Sequence, residues 1–294
     1  MALTLPQAAL QTSDPIMRGV IETVIEDGGI VPALPFEGIT GNAFKYVQEV
    51  SPGTVNFYAV NDTWTEGSAT VRQMTTGLAI MGGDADVDNF LQRTMSDPND
   101  QRATQIRLKA KALRRKFENA AITGDSATDA NSFDGLRKLC VAAQTLLAGT
   151  NGAALTLPLL DQMLDLLRGR KADALLMSRR TRRQLKALLE TSAHYIETGA
   201  AFGRQVMMYD GIPVVASDFM PDTETAGSGT ALSSVYAAQF EWGDGLAGVQ
   251  NGTIEVVDVG QLESKNAERT RLRWYCGLVL FRDSAVARLQ GLTA

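Results

Sequence analysis

Two stretches of this chain cannot be stable by themselves, and they constrain its fold more than anything else in it. The first is a short helix. Asp14-Pro15 reads as an N-cap with proline at the first helical position. Ile16, Met17, Val20, Ile21, Val24 and Ile25 then recur at helical spacing until Asp27-Gly28-Gly29 stops them. Pro32 and Pro35 follow at once, so the apolar stripe sits on an extended arm that must dock on something. Ile16, Val20, Ile21 and Val24 are its expected docking residues. The second is a β-prone excursion over residues 42–80. Residues 43–47 and 55–60 favour strands, a polar, turn-rich stretch fills 61–68, and a further strand candidate covers 71–80. A two-stranded projection is marginal in water unless something packs on it. Both segments ask for a neighbour.

The rest of the chain can supply a body. At 294 residues, 45% hydrophobic and 21% charged, it has room for one large domain or two smaller ones, and wholesale disorder is excluded. No run of eighteen apolar residues offers a membrane span, and the first residues lack the basic and apolar regions of a signal peptide. Cys140 and Cys276 stand far apart, which rules out a disulfide framework or a thiolate zinc site and fits a reducing compartment. His194 is the one histidine, so much ordinary acid–base and metal chemistry is unlikely from this chain. No cofactor is implied.

Charge is segregated. Residues 102–118 and 170–186 each sum to +6, leaving −17 on the remainder of a chain whose net charge is −5. The first segment belongs to the longest predicted helix, residues 101–123. With Arg102 at zero, Ile106, Ala110, Leu113, Phe117 and Ala121 occupy an arc of about 20–100°, and Arg107, Lys111, Arg114 and Arg115 one of about 120–220°. Those four cations are candidates for contact with a neighbouring subunit or with phosphates. No aromatic residues interleave with them as in single-strand binders. A separate α/β unit follows. It has a helix over 157–168, a buried strand over 174–177, a basic helix capped by Ser178, and a hairpin at Asp210-Gly211. Residues 221–230 read as a flexible surface loop, and 234–241, 253–259 and 271–282 as strands.

Three motifs have duller readings than their first impression. Gly124-Asp125-Ser126 could be an esterase nucleophile, with His194 as base, but no Asp-x-x-His pairing surrounds His194, and a helix stop explains it better. Asp84, Asp86 and Asp88 alternate like calcium ligands, yet Met95 stands where a closing glutamate belongs. On a strand the three would share one face and serve ion pairs. Gly227-Ser228-Gly229 has no following lysine and is no phosphate loop.

Seven segments, in order, carry a resemblance over almost the whole chain. They are residues 34–46 (LPFEGITGNAFKY), 82–90 (GGDADVDNF), 100–113, 119–125 with 132–136 (SFDGL), 175–183 (LLMSRRTRR), 209–215 (YDGIPVV) and 274–278 (WYCGL). The chain resembles the major capsid proteins of tailed bacteriophages, which have the Hong Kong 97 fold. That resemblance implies an α+β fold with an N-terminal arm at 1–41 and an extended loop at 42–80. It further implies a peripheral domain with its spine helix at 81–145, an axial α/β domain at 146–249, and peripheral C-terminal strands at 250–294. It implies a structural, non-enzymatic protein whose pentamers and hexamers close into an icosahedral head around double-stranded DNA. Its partners would be itself, a portal, separate scaffolding and decoration proteins, and DNA held non-specifically, with no membrane. It would be a virion component assembled in the host cytoplasm. Some members crosslink a loop lysine to a neighbour's asparagine, but residues 46–108 contain no lysine. Some carry a long cleaved scaffolding segment before the arm, for which this sequence leaves no space. The alternative of the same fold is an encapsulin-type compartment, and a serine hydrolase using Ser126 and His194 is a remote one.

Overall fold

The structure, a computed structural model, describes residues 29–95, 101–191, 197–201 and 204–293. Its strands in chain order are β1 (Phe36–Gly38), β2 (Ala43–Ser51), β3 (Thr70–Gly77), β4 (Ala79–Asp88), β5 (Thr145–Leu147), β6 (Ala174–Met177), β7 (Glu197–Ala201) and β8 (Arg204–Tyr209). There follow β9 (Ile212–Ala216), β10 (Glu224–Ala226), β11 (Gly229–Ala238), β12 (Leu246–Gln250), β13 (Glu255–Gln261), β14 (Ala267–Leu280) and β15 (Val286–Leu292). The α-helices are α1 (Asn89–Met95), α2 (Gln101–Thr123), α3 (Leu136–Leu139), α4 (Leu157–Leu164) and α5 (Arg179–Thr191).

Among the described residues these strands make three sheets. A five-stranded sheet is built around β14. β4 runs antiparallel along one edge of it, from Ala267↔Asp88 to Cys276↔Ala79. β13 and β12 share the other edge end to end, and β1 extends β12 in parallel. An eight-stranded sheet has the order β5-β15-β11-β6-β9-β8-β7, with β10 on β11. β2 and β3 form a separate antiparallel ribbon. This membership cuts across the expected partition of the chain: β12 pairs in the five-stranded sheet, and β15 in the eight-stranded one.

The central strand β6 explains why its sequence is an unbroken apolar run. All four of its residues are buried, with Ala174 and Leu176 on one core and Leu175 and Met177 on the other. A strand covered on both faces needs no polar alternation. The second of these cores is closed by α4 and α5, whose Leu160, Met163, Leu185 and Leu189 enter it. The first lies between the two large sheets, and α2 runs through it. Phe117, fully buried, has its ring 4.8 Å from Trp274 of β14, 5.5 Å from Phe36 of β1 and 5.4 Å from Phe133. Leu113, Ala121 and Ile122 are buried with it, while Ile106 and Ala110 are half-buried, so the apolar arc is used mainly in the C-terminal half of the helix. Gly124 ends α2 because nothing larger fits there: a Cβ would stand 2.4 Å from the carbonyls of Ala120 and Phe133.

The Asp210-Gly211 hairpin forms as expected, with φ of 49° and 73° at the two residues and Tyr209 paired to Ile212. Such a turn needs positive φ at both central positions. Ser178 caps α5, accepting from the Thr181 N–H at 3.2 Å. Residues 221–230 are not the free surface loop expected. Within them Glu224–Ala226 is β10, paired to β11, and Glu224 is buried. Residues 71–80 split at Leu78 into the ends of β3 and β4. Residues 55–60 form no strand, because β-propensity is realised only in a paired ladder and this segment pairs with no strand among the described residues.

Candidate assembly interface

The ribbon has a root and a tip. At the root, Phe44, Tyr46 and Gln48 of β2 face the body. Phe44 lies 5.4 Å from the Trp242 ring and Tyr46 lies 5.2 Å from Phe281. The Tyr46 hydroxyl donates to the Leu280 carbonyl at 2.8 Å, and Gln48 Nε2 donates to Asp283 Oδ1 at 2.8 Å. Burial and the nearby Asp283 carboxylate push the Tyr46 hydroxyl above the usual tyrosine range, which keeps it a donor. Beyond Ser51 the loop leaves the body. Its contacts are internal: Tyr58 stacks on Trp64 at 4.6 Å, the Tyr58 hydroxyl bonds Thr65, and Asp62 Oδ2 accepts from the Ala59 N–H. Val55, Val60 and Trp64 are 92%, 92% and 79% exposed, and Phe57 is fully so. These side chains form a bare apolar tip. Its charged residues from 46 to 71 are Glu49, Asp62 and Glu66, with no cation among them.

The spine helix α2 presents the opposite charge. Arg107, Arg114, Arg115 and Lys116 are exposed along it, and Lys111 is half-buried. Arg114 is committed within its own subunit: its Nε donates to Glu118 Oε1 at 3.2 Å, and Glu118 is 2% exposed. Burial raises the Glu118 carboxyl above the ordinary glutamate range, and Arg114 opposes that only in part. What Arg114 offers a neighbour is the part of its guanidinium not bonded to Glu118. The arm residues Ile16, Val20, Ile21 and Val24 lie outside the described residues, as does His194.

The outer face of the five-stranded sheet is a charge ladder. Arg269 and Arg271 on β14 stand opposite Asp86 and Asp84 on β4, each donating in a two-pronged pair at 2.7–2.9 Å. Arg273 reaches Glu255 on β13 at 2.7 Å. Asp88 instead accepts from the Phe90 N–H at the start of α1. The alternating carboxylates are therefore ion-pair partners and a helix cap. Hydrogen bonds from Arg271 and Arg269 hold the Asp84 and Asp86 carboxyls below the usual range. A carboxyl with a lowered folded value stabilises the fold above its unfolded pKa, about 4, and loses that contribution as pH falls through the lowered value. Asp84→Asn with Asp86→Asn should thus lower the urea midpoint at neutral pH, and the difference from the parent should shrink in acid below pH 4. A gap that stays constant with pH would show that the pairs contribute no charge interaction.

The model of the SU10 major capsid protein family matches residues 42–293, from the ribbon through β15. The chain belongs to that family. An SU10-type major capsid protein has a structural role in a capsid, and the apolar tip, the spine and the ladder are surfaces of such a subunit. Solved structures agree on the fold. The capsid of an empty GTA particle is 14% identical with TM-score 0.73, over 100% of this chain and 99% of that one. The SrpI encapsulin of Synechococcus elongatus PCC 7942 is 18% identical with TM-score 0.73, over 99% and 96%. The capsid of cyanophage A-1(L) is 14% identical with TM-score 0.69, over 94% and 96%. No curated protein matches the chain. At such identities the structures establish the Hong Kong 97-like α+β fold, encapsulin included, and the family match decides for the phage capsid.

Sequence reasoning missed one feature of the SU10-type subunit. Glu224 and Arg288 form a buried pair at 2.9 and 3.0 Å, joined by the hydroxyl of Ser234 and roofed by the Tyr236 ring 5.5 Å from the guanidinium. They are 64 residues apart in the chain, so no local pattern could reveal them.

Proposed function

We propose that this protein forms the shell of a tailed-phage head, as pentamers and hexamers closed around double-stranded DNA in the virion, assembled in the host cytoplasm. A portal and separate scaffolding or decoration proteins would join it there, and it would have no enzymatic role. The axial unit in this reading is the eight-stranded sheet with α4 and α5, residues 145–238 with β15 added. The peripheral unit is the five-stranded sheet with α2. The observation that carries the proposal is the loop tip, with Val55, Phe57, Val60 and Trp64 bare to solvent. Exposed apolar clusters of this kind mark interaction sites. Its acidic charges suit a second copy's cationic spine, where Arg115 and Lys116 are exposed. Arg115 belongs in this reading at the seam between subunits, and Arg107 and Lys111 toward the DNA.

The hydrolase alternative fares poorly. Ser126 Oγ accepts from Lys138 Nζ at 3.2 Å, and the hydrogen bonds that Lys138 donates to Asp125 and Asp134 hold that lysine above its ordinary pKa, the wrong direction for a base.

Phe57→Ser with Trp64→Ser should leave a soluble, folded subunit, because neither side chain enters a core. Closed particles should disappear from negative-stain micrographs and from the fast-sedimenting fraction. Particles of normal size from this variant would overturn the docking role of the tip.

A further inference from the structure

The outer face of α5 is unused by the fold. Thr181, Leu185 and Leu189 are buried on its inner side. Arg179, Arg182, Arg183 and Lys186 are spaced i, i+3, i+4 and i+7, which gathers them on one outer face. With Met207 of β8 they line a cleft of about 420 Å³. Arg179 is paired with Asp218 at 2.6 Å and Lys186 with Glu190 at 3.6 Å, both exposed pairs that solvent weakens. Arg182 and Arg183 have no carboxylate partner among the described residues. On β14, by contrast, the clustered Arg269, Arg271 and Arg273 are each faced by an acid. On α5 like charges crowd one helix face, and among the described residues no acid lines the cleft between them.

We propose that this cleft binds phosphoryl oxyanions through Arg182, Arg183 and Lys186. A guanidinium fork donates two parallel N–H bonds to two oxygens of one phosphoryl group, and an ammonium adds a point charge. A terminal phosphoryl group has three unbridged oxygens, enough to engage both forks and the lysine together, and a nucleic-acid backbone offers two on each of several successive phosphates, whereas a single carboxylate has two in all. Two sources share that chemistry: a free polyphosphate and the backbone of nucleic acid.

The test uses the full chain before assembly, so it is independent of shell formation. Inorganic tripolyphosphate is titrated by calorimetry and a short DNA duplex by fluorescence anisotropy, over a range of salt. Arg182→Gln with Arg183→Gln should weaken whichever probe binds by about tenfold or more, and for the duplex should reduce the slope of log K against log salt by about 2. Arg93→Gln with Arg137→Gln removes the same charge from exposed positions outside the cleft and should change binding less than about twofold by the same counting. Saturable tripolyphosphate binding that the duplex does not displace assigns the site to a free polyphosphate. Duplex binding that loses its salt slope in the cleft variant assigns it to the nucleic-acid backbone. Equal losses in the two double variants would reduce the effect to bulk charge and overturn the site. So would a parent protein that binds neither probe.

Discussion

Arg288→Ala is expected to lower the stability of the unassembled subunit by about 3–5 kcal/mol, the usual cost of removing one partner from a buried ion pair. The guanidinium is 8% exposed and its partner carboxylate 1%. Its loss leaves Glu224 charged, enclosed and bonded only to Ser234. The strand that carries Glu224 is three residues long, so β10 should detach with it. Urea unfolding followed by circular dichroism measures the loss. A paired replacement, Glu224→Leu with Arg288→Met, should recover most of it, because well-packed apolar groups of similar volume often match or exceed a buried pair. A single variant as stable as the parent would mean that water reaches the pair.

Phe117→Ala should cost a comparable 3–5 kcal/mol, the range for emptying a large buried aromatic site. The ring touches β1 through Phe36, β14 through Trp274 and the turn after α2 through Phe133. Removing it opens a void where three elements meet, none of which can close it alone. Trp274 emission should shift to longer wavelength as water enters. Phe117→Leu should recover part of the loss, since it restores apolar volume. If alanine cost under about 1 kcal/mol, far below that range, the spine would not be fixed by this contact.

The spine was legible in the sequence because every local signal agrees there: an apolar period, a cationic flank and a glycine stop at Gly124. The hairpin at Asp210-Gly211 and the cap at Ser178 were legible for the same reason, as each is decided by neighbouring residues. Failures occurred where the deciding partner is distant. Residues 55–60 have the composition of a strand, but no partner strand among the described residues. Residues 221–230 look like a polar loop, and only Arg288, far along the chain, makes Glu224 a core residue. The place of β15 could not be read locally either, since its apolar alternation suits either large sheet. Among the candidate surface residues, the cationic face of α2 was visible from its arc, whereas the bond from Arg114 to Glu118 was hidden by a glutamate that looked like one more surface charge.

The late position of β14 and β15 has a consequence for the timing of synthesis. The five-stranded sheet has no centre until β14 is made, and in the eight-stranded sheet β5 and β11 are joined only through β15. A nascent chain that has already made its apolar loop tip therefore still lacks the centre of one sheet and the link that brings β5 into the other. Pairings over such long separations are slow to form, because the intervening chain must be closed first. The two sheets should therefore be among the slow steps of folding. Both large sheets are thus expected to reach their full pairing only once β14 and β15 are in place.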